Sequence, residues 1–290
     1  MKFNKHDSFY VRQSWPAKAA SAINTDNTIF SPQNEQNAVD ELGLGRVMVK
    51  SLRYWSRTLG ISTESKDSNG LIIHELTPTA RIIFNHDRFF QRTGSRWLLH
   101  FNLANARDEA TTWYWFFNEF NYQRFTAEQF MEQIKNYVIH HEIDIAVSSL
   151  QRDFNCLRQS YLRTSITDIE YFLEEGILSY FAPLGILEEK GQYLLKQSSA
   201  DSLLPPEILY YCILADKPNE IRQLSIEDIF EAPKSSGKVF NLNYNALLNK
   251  LDVLENMGYI EVFKRFGYSH IEIKQNNHED ILLKYFRKEY

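Results

Sequence analysis

Residues 41–60, ELGLGRVMVKSLRYWSRTLG, leave the chain few choices. Gly43 and Gly45 flank Leu44 and interrupt a helical pattern running through Gln36 to Leu42, and a second helix is predicted to begin at Arg46. At about 100° per residue, Met48, Leu52, Trp55 and Leu59 gather on one side of that helix. Arg46, Lys50, Arg53 and Arg57 gather on the other. One face must therefore be buried while its opposite is a ladder of cations. No acid occurs between Leu42 and Thr63, so the ladder is expected to lack a local counter-charge. A helix, a glycine turn and a second helix of this polarity form the pattern by which a helix-turn-helix offers a recognition helix to DNA. An ordinary amphipathic helix with a solvated basic face gives the same residues.

Charge distribution favours the first of these. The whole chain of 290 residues carries a formal net charge of −5. Residues 1–92 nevertheless hold 12 Lys and Arg against 9 Asp and Glu, about +3, which leaves about −8 for residues 93–290. One basic module is expected to meet a polyanion while the remainder does something else. Two cysteines, Cys156 and Cys212, are too few and too far apart for a disulfide framework or a zinc module. The opening MKFNKHDSFYVRQSW lacks the apolar core of a signal peptide, and no apolar run reaches the length of a membrane span. A cytoplasmic protein with no membrane partner is expected.

The fold class predicted is mainly α with small β wings, multidomain, with winged helix-turn-helix modules at both ends and a helical middle. Ser31-Pro32 reads as the start of the helix that ends at Leu42. Residues 62–70, STESKDSNG, read as a polar loop, Leu71–Leu76 as a strand, and Thr77-Pro78 as the cap of the next helix. Those elements make a first domain of residues 1–92. A central, mainly helical domain of residues 93–200 is dense in aromatics at Trp97–Phe101 and Thr112–Phe117, which are expected in a core rather than against bases. Within it, Ser148–Tyr161 aligns Leu150, Phe154, Leu157 and Tyr161 opposite Arg152, Gln159 and Arg163, a weaker second helix-turn-helix with Asp153 and Asp168 close by. Short strands are predicted around Gly185 and Gly191, and residues 198–207, SSADSLLPPE, read as a linker. The third domain, 201–290, is a winged helix whose helix Tyr244–Met257 turns Asn249, Asp252 and Asn256 outward. That face is neutral to acidic and suits a protein contact. Only Lys264 and Arg265, in the wing between strands, suit phosphate.

Candidate chemistry is sparse. His140-His141-Glu142 with Asp144 is the densest metal-type cluster, but neighbouring helical positions point about 100° apart and no HExxH spacing occurs. A solvated helix end is expected there, and no metal site is predicted. Gly43-Leu44-Gly45 lacks the third glycine, preceding strand and lysine of a phosphate loop, and no GxSxG is present. Glu272-Ile273-Lys274 has the E-x-K form of metal-dependent nucleases, in which the carboxylate holds the ion and the ammonium assists the attacking water. A strand of alternating outward charges gives the same tripeptide. Glu272 and Lys274 are thus catalytic candidates, with a divalent metal as the cofactor if the chain is a nuclease.

Several stretches resemble one bacterial family: KHDSFYVRQSWPAK at Lys5–Lys18, ELGLGRVMVKSLRYW at Glu41–Trp55, ELTPTARIIF at Glu75–Phe84, and WLLHFNLA and TTWYWFFNEF between Trp97 and Phe120. That family, long catalogued as a domain of unknown function, is encoded beside PAPS-reductase-like and cysteine-desulfurase components of DNA phosphorothioation systems. It includes the SspB-type component of antiphage systems. The resemblance implies a DNA-binding role in replacing a backbone oxygen by sulfur, with strand nicking as the implied activity. Double-stranded DNA and other phosphorothioation proteins are the implied partners. His6, Arg12, Trp15 and Lys18 sit in the family-like opening motif. Arg12 and Lys18 suit phosphate, and His6 suits an acid or base; His6 and Trp15 read equally as core residues. The expected DNA-binding set is Arg12, Lys18, Arg46, Lys50, Arg53, Tyr54, Arg57, Lys264 and Arg265, with Tyr54 packing on a sugar or base. Two alternatives stay open: a winged-helix transcriptional regulator acting as a symmetric dimer, and a non-enzymatic scaffold of the modification complex.

Overall fold

The structure, a computed structural model, describes residues 1–162, 178–215, 217, 220–265 and 268–288, without the side chains of residues 264, 265 and 268. It is mainly helical with three small antiparallel sheets. Helix α1 (Trp15–Thr25) carries Pro16 in its first turn, where the fixed φ of proline suits a helix start. A 3-10 turn at Pro32–Asn34 leads into α2 (Glu35–Leu42). Gly43, at φ 62°, closes α2 in the left-handed conformation, its N–H bonded to Val39 O, and α3 (Arg46–Thr58) starts after an extended Gly45.

Strands β1 (Ser62–Lys66) and β2 (Ile72–Leu76) then pair antiparallel. Residues 62–70 are therefore not all loop as expected, because the first five form β1. The turn proper is Asp67–Gly70, where the Asp67 Oδ1 accepts from the N–H groups of Asn69 and Leu71 at 2.9 and 2.7 Å. Helix α4 (Pro78–His86) is capped by Thr77, whose hydroxyl accepts from Ala80 N at 3.1 Å.

The middle of the chain supplies α5 (Thr93–Asn105), α6 (Thr111–Asn118), β3 (Arg124–Phe125), α7 (Ala127–His140) and α8 (Val147–Tyr161). A reciprocal capping box between Thr126 and Gln129 starts α7. Strands β4 (Leu187–Lys190) and β5 (Tyr193–Lys196) flank Gly191 and build a sheet in the order β3-β5-β4. Gly185 instead ends a 3-10 turn at Ala182–Leu184 rather than a strand. On α8 the apolar row is buried as expected, but Asp153 lies inside with it, 1 % exposed; Arg163 and Asp168 fall outside the described residues.

Residues 198–207 are not a free linker. They hold the short α9 (Ala200–Leu203) and the start of α10 (Pro206–Leu214), with Ala200, Leu204 and Glu207 buried. Their Ser, Asp and Pro content serves helix starts rather than flexibility. Then follow β6 (Gln223–Ser225), α11 (Ile226–Glu231), α12 (Ser236–Val239), α13 (Tyr244–Asn256), β7 (Ile260–Arg265), β8 (Tyr268–Ile273) and α14 (His278–Phe286). The last sheet runs β6-β8-β7.

One apolar cluster runs through these elements, β1 and the Pro32–Asn34 turn excepted, from Phe3 to Phe286. Its centre is aromatic. His100 of α5 sits among Trp97, Phe117, Tyr161, Phe181 and Phe240, with Nδ1 2.8 Å from the Tyr161 hydroxyl and Nε2 2.9 Å from Val239 O. Burial pushes its pKa down to about 4 despite the Val239 hydrogen bond, so the ring is neutral at pH 7. Contacts distant in sequence tie the ends together. Gly94 N donates to the Tyr285 hydroxyl at 2.9 Å, the Arg92 guanidinium donates to Phe286 O at 2.8 Å, and the Thr79 and Tyr211 hydroxyls meet at 2.7 Å. Any Cβ at position 94 would overlap the Tyr285 ring. Among the described residues no helix is long and apolar enough to cross a membrane.

Candidate nucleic-acid interface

Helix α3 is set by burial. Val49, Leu52, Trp55 and Leu59 are buried and Met48 packs partly buried against them, so the opposite face turns outward. The turn before it is fixed by Gly43 and by Lys18 of α1, whose ammonium donates to Leu42 O at 2.7 Å. Lys18 was expected on phosphate; it caps the C-terminus of α2 instead, where a cation meets the exposed carbonyls and the negative end of the helix dipole.

The outward row divides in two. Arg46 is 69 % exposed at its side chain, 3.5 Å from Glu35, and Lys50 is exposed with no ion pair among the described residues. Arg53 and Arg57 are tied down. Arg53 Nε donates to Glu64 Oε2 at 2.8 Å, and Arg57 Nη1 reaches Glu64 Oε1 at 3.4 Å. Arg57 Nη2 also lies 3.7 Å from Glu109 Oε2. The expectation that nothing neutralises the ladder thus fails at Arg46, loosely, and most firmly at Arg53 and Arg57. The acid lies beyond the acid-free stretch, on a strand that folds back over the helix.

Beneath Glu64 sits His74 of β2, fully buried, with Nδ1 3.0 Å from the Ser62 hydroxyl and Nε2 3.1 Å from Glu64 Oε2, outside hydrogen-bond alignment. Burial pushes the His74 pKa down to about 4 against the opposing pull of Glu64, with the charges of Arg53 and Arg57 adding to the fall. For Glu64, burial alone would raise the pKa. The Arg53 hydrogen bond and the charges of Arg57, Arg53 and His74 outweigh it and hold the carboxyl below its ordinary value.

Tyr54, expected to meet a sugar or base, is 6 % exposed. Its hydroxyl donates to Glu109 O at 3.0 Å and its ring packs on Trp55. Its place on the helical wheel is beside the cations, but the segment between α5 and α6 covers it. Arg12 is half-buried, its guanidinium 5.8 Å from the Phe9 ring and 5.9 Å from the Trp15 ring.

His6 is fully buried. It stacks on Trp55, meets Trp113 edge-on, and holds Asp153 Oδ1 with Nε2 at 2.8 Å. Asp153 also accepts from Asn4 N at 2.8 Å and from the Thr112 hydroxyl at 2.6 Å. A side chain so enclosed is a core residue, as the second reading of His6 had it; an acid or base needs reach to its substrate.

In the C-terminal sheet, Glu261 of β7 faces Glu272 of β8. The Lys274 ammonium lies 2.7 Å from Glu261 and 3.4 Å from Glu272, and Gln223 donates to Glu272 at 3.1 Å. The Glu261 hydrogen bond, then that of Glu272, raises the Lys274 pKa. The E-x-K cation is held between two carboxylates. Among the described residues no group of three or more His, Cys, Asp and Glu is placed to hold a metal ion. Lys264 and Arg265 lie in β7, and their side chains fall outside the described ones.

The residues that matter beyond the expected set are Glu64, His74 and Asp153. The turn residues of Asp67–Gly70 are the local sign of the hairpin that brings Glu64 back over α3; its first arm, STESK, gives no strand signal of its own.

The architecture is shared with known structures. Two crystal structures of SspB, one of them with magnesium bound, superpose with a TM-score of 0.84 at 22 % identity, covering 98 % of this chain and 88 % of theirs. No curated protein matches the sequence. The model of one family matches residues 3–290, nearly end to end, and the chain belongs to that family, DUF4007, proteins of unknown function.

Proposed function

We propose that this chain is the DNA-binding component of a bacterial DNA phosphorothioate modification system of the antiphage type, acting in the cytoplasm beside the other proteins of that system. Its fold is that of SspB, and the family resemblance of its opening and central motifs points the same way. The observation that carries the DNA reading is the outward row of α3, where Arg46 and Lys50 stand free of the core. In this reading α1, α2, α3 and the β1–β2 hairpin form an N-terminal winged helix-turn-helix within residues 1–92. Residues 93–200 are the helical centre, and α10 to β8 form a second winged helix within 201–290. The second module offers a different surface: Asn249, Asp252 and Asn256 of α13 are turned away from the core, which suits a protein partner of the modification complex. Strand nicking is the activity to look for, with a divalent cation supplied, since one SspB crystal structure carries magnesium.

The test joins binding to cleavage. Duplex affinity of the purified protein is measured across a salt series, and Lys50→Ala is expected to lower the slope of log K against log salt by about 0.9, the share of one neutralised phosphate. An unchanged slope in folded Lys50→Ala would remove α3 from the interface. Supercoiled plasmid at saturating protein, with and without magnesium, then reports nicking. Glu272→Gln is expected to retain it, because the Lys274 ammonium already occupies the space between Glu261 and Glu272. A loss of about a hundredfold or more, on the order of one missing transition-state interaction, would restore the E-x-K element as the site of chemistry.

A further inference from the structure

We infer that Arg53 and Arg57 form a cradle for one phosphodiester group, and that in the free protein the chain's own Glu64 occupies it. This rests on the reading of α3 as the DNA-facing helix and adds an internal competitor to it. The two carboxylate oxygens of Glu64 are divided between the two arginines, Oε2 at 2.8 Å from Arg53 Nε and Oε1 at 3.4 Å from Arg57 Nη1. Two non-bridging phosphate oxygens ask for the same donors in the same arrangement. Nor is the cradle satisfied by its tenant. Arg57 Nε is buried with no acceptor among the described residues. A buried donor without a partner marks an arrangement completed by something else.

The tenant can leave by its side chain alone. Glu64 belongs to β1, whose only sheet partner among the described residues is β2, and the hairpin is held to the body through buried Ser62, His74 and Leu76, so the strand itself need not shift. Arg46 and Lys50 are open to a duplex from the start. Once they engage, the phosphate nearest Arg53 and Arg57 competes with Glu64 for charge-assisted hydrogen bonds. The carboxylate leaves toward solvent along the exposed edge of β1. The free protein therefore meets DNA with two cations and holds it with four.

Glu64→Gln tests this, since the amide keeps the shape and one acceptor for Arg53 while removing the charge. Fluorescence anisotropy with a labelled duplex across a salt series is expected to show tighter binding with a parent-like slope, because the same phosphates are neutralised in both complexes once Glu64 has left. Affinity at low salt is expected to rise on the order of tenfold. Glu64→Ser, with no carboxylate to re-form the ion pairs, is expected to behave alike and guards against a local misfolding of either variant; thermal melts establish that both are folded. Parent-like or weaker affinity in the folded variants overturns the competitor. Arg46→Ala with Lys50→Ala, measured alongside, isolates the underlying reading. If that pair leaves the parent slope unchanged, α3 is not the DNA-facing helix and the cradle falls with it. If the pair lowers the slope while Glu64→Gln does not tighten binding, only the cradle falls.

Discussion

Replacing Arg46, Lys50, Arg53 and Arg57 together by Ala is expected to flatten the dependence of duplex affinity on salt by up to about three units of slope, at about 0.9 for each phosphate that no longer meets a cation, Arg53 and Arg57 sharing one. The weakening should fall equally on all sequences, since a cationic row of this kind positions the helix rather than reads bases. The substitutions leave the apolar face of α3 intact: Val49, Leu52, Trp55 and Leu59 keep their burial. They do strand Glu64, which is half-buried and is left without either of its cations. A modest fall in stability, about 1–3 kcal/mol, is expected from that unanswered carboxylate. A thermal melt of the quadruple variant separates it from a failure to bind. Duplex affinity with the parent's slope in a folded quadruple variant would mean that DNA, if bound, is bound elsewhere.

Asp153→Ala is expected to be the most destabilising single change in the molecule's interior. Three donors depend on this carboxylate: the His6 ring, the Asn4 backbone N–H and the Thr112 hydroxyl. Asp153 and His6 are both essentially without solvent exposure, so water cannot replace the missing acceptor. Removing one member of a buried hydrogen-bonded pair costs about 3–5 kcal/mol. For a chain of this size that corresponds to a fall in Tm of about 5–8 °C. Calorimetry decides the matter, and a shift under about 2 °C would show that the pocket rearranges to feed those donors. The same network governs how a His6→Ala result is read. Nicking abolished in that variant counts as chemistry only if its melting temperature has held, because the His6 ring fills the space between Trp55 and Trp113.

What could be read from the sequence was what neighbouring residues decide. The two faces of α3, the Gly43 stop, the Thr77 and Thr126 caps and the buried aromatic runs of α5 and α6 all follow from spacing within a turn or two. What could not be read involves partners brought in from afar. Glu64 meets Arg53 only after a strand forms from Ser, Thr, Glu and Lys, residues without the apolar alternation that announces one. Lys18 lies 24 positions from the carbonyl it caps, and Asp153 lies 147 from His6. Tyr54 shows the limit of the helical wheel, which gives an angle around the axis but not the depth of what packs above it. The serine- and proline-rich stretch 198–207 has the composition of a linker, yet its Ala200 and Leu204 belong to the core.

The hydrogen bond between Gly94 and Tyr285 joins positions 191 apart. The glycine has no side chain because the tyrosine ring fills that space, and the tyrosine hydroxyl is answered by the glycine's own N–H. While the tyrosine stays, position 94 has no room for a side chain. Inheritance should therefore treat them as a single site: among descendants of one ancestor, a larger residue at 94 should arrive only with a smaller one at 285. Lineages that kept the tyrosine should have kept the glycine.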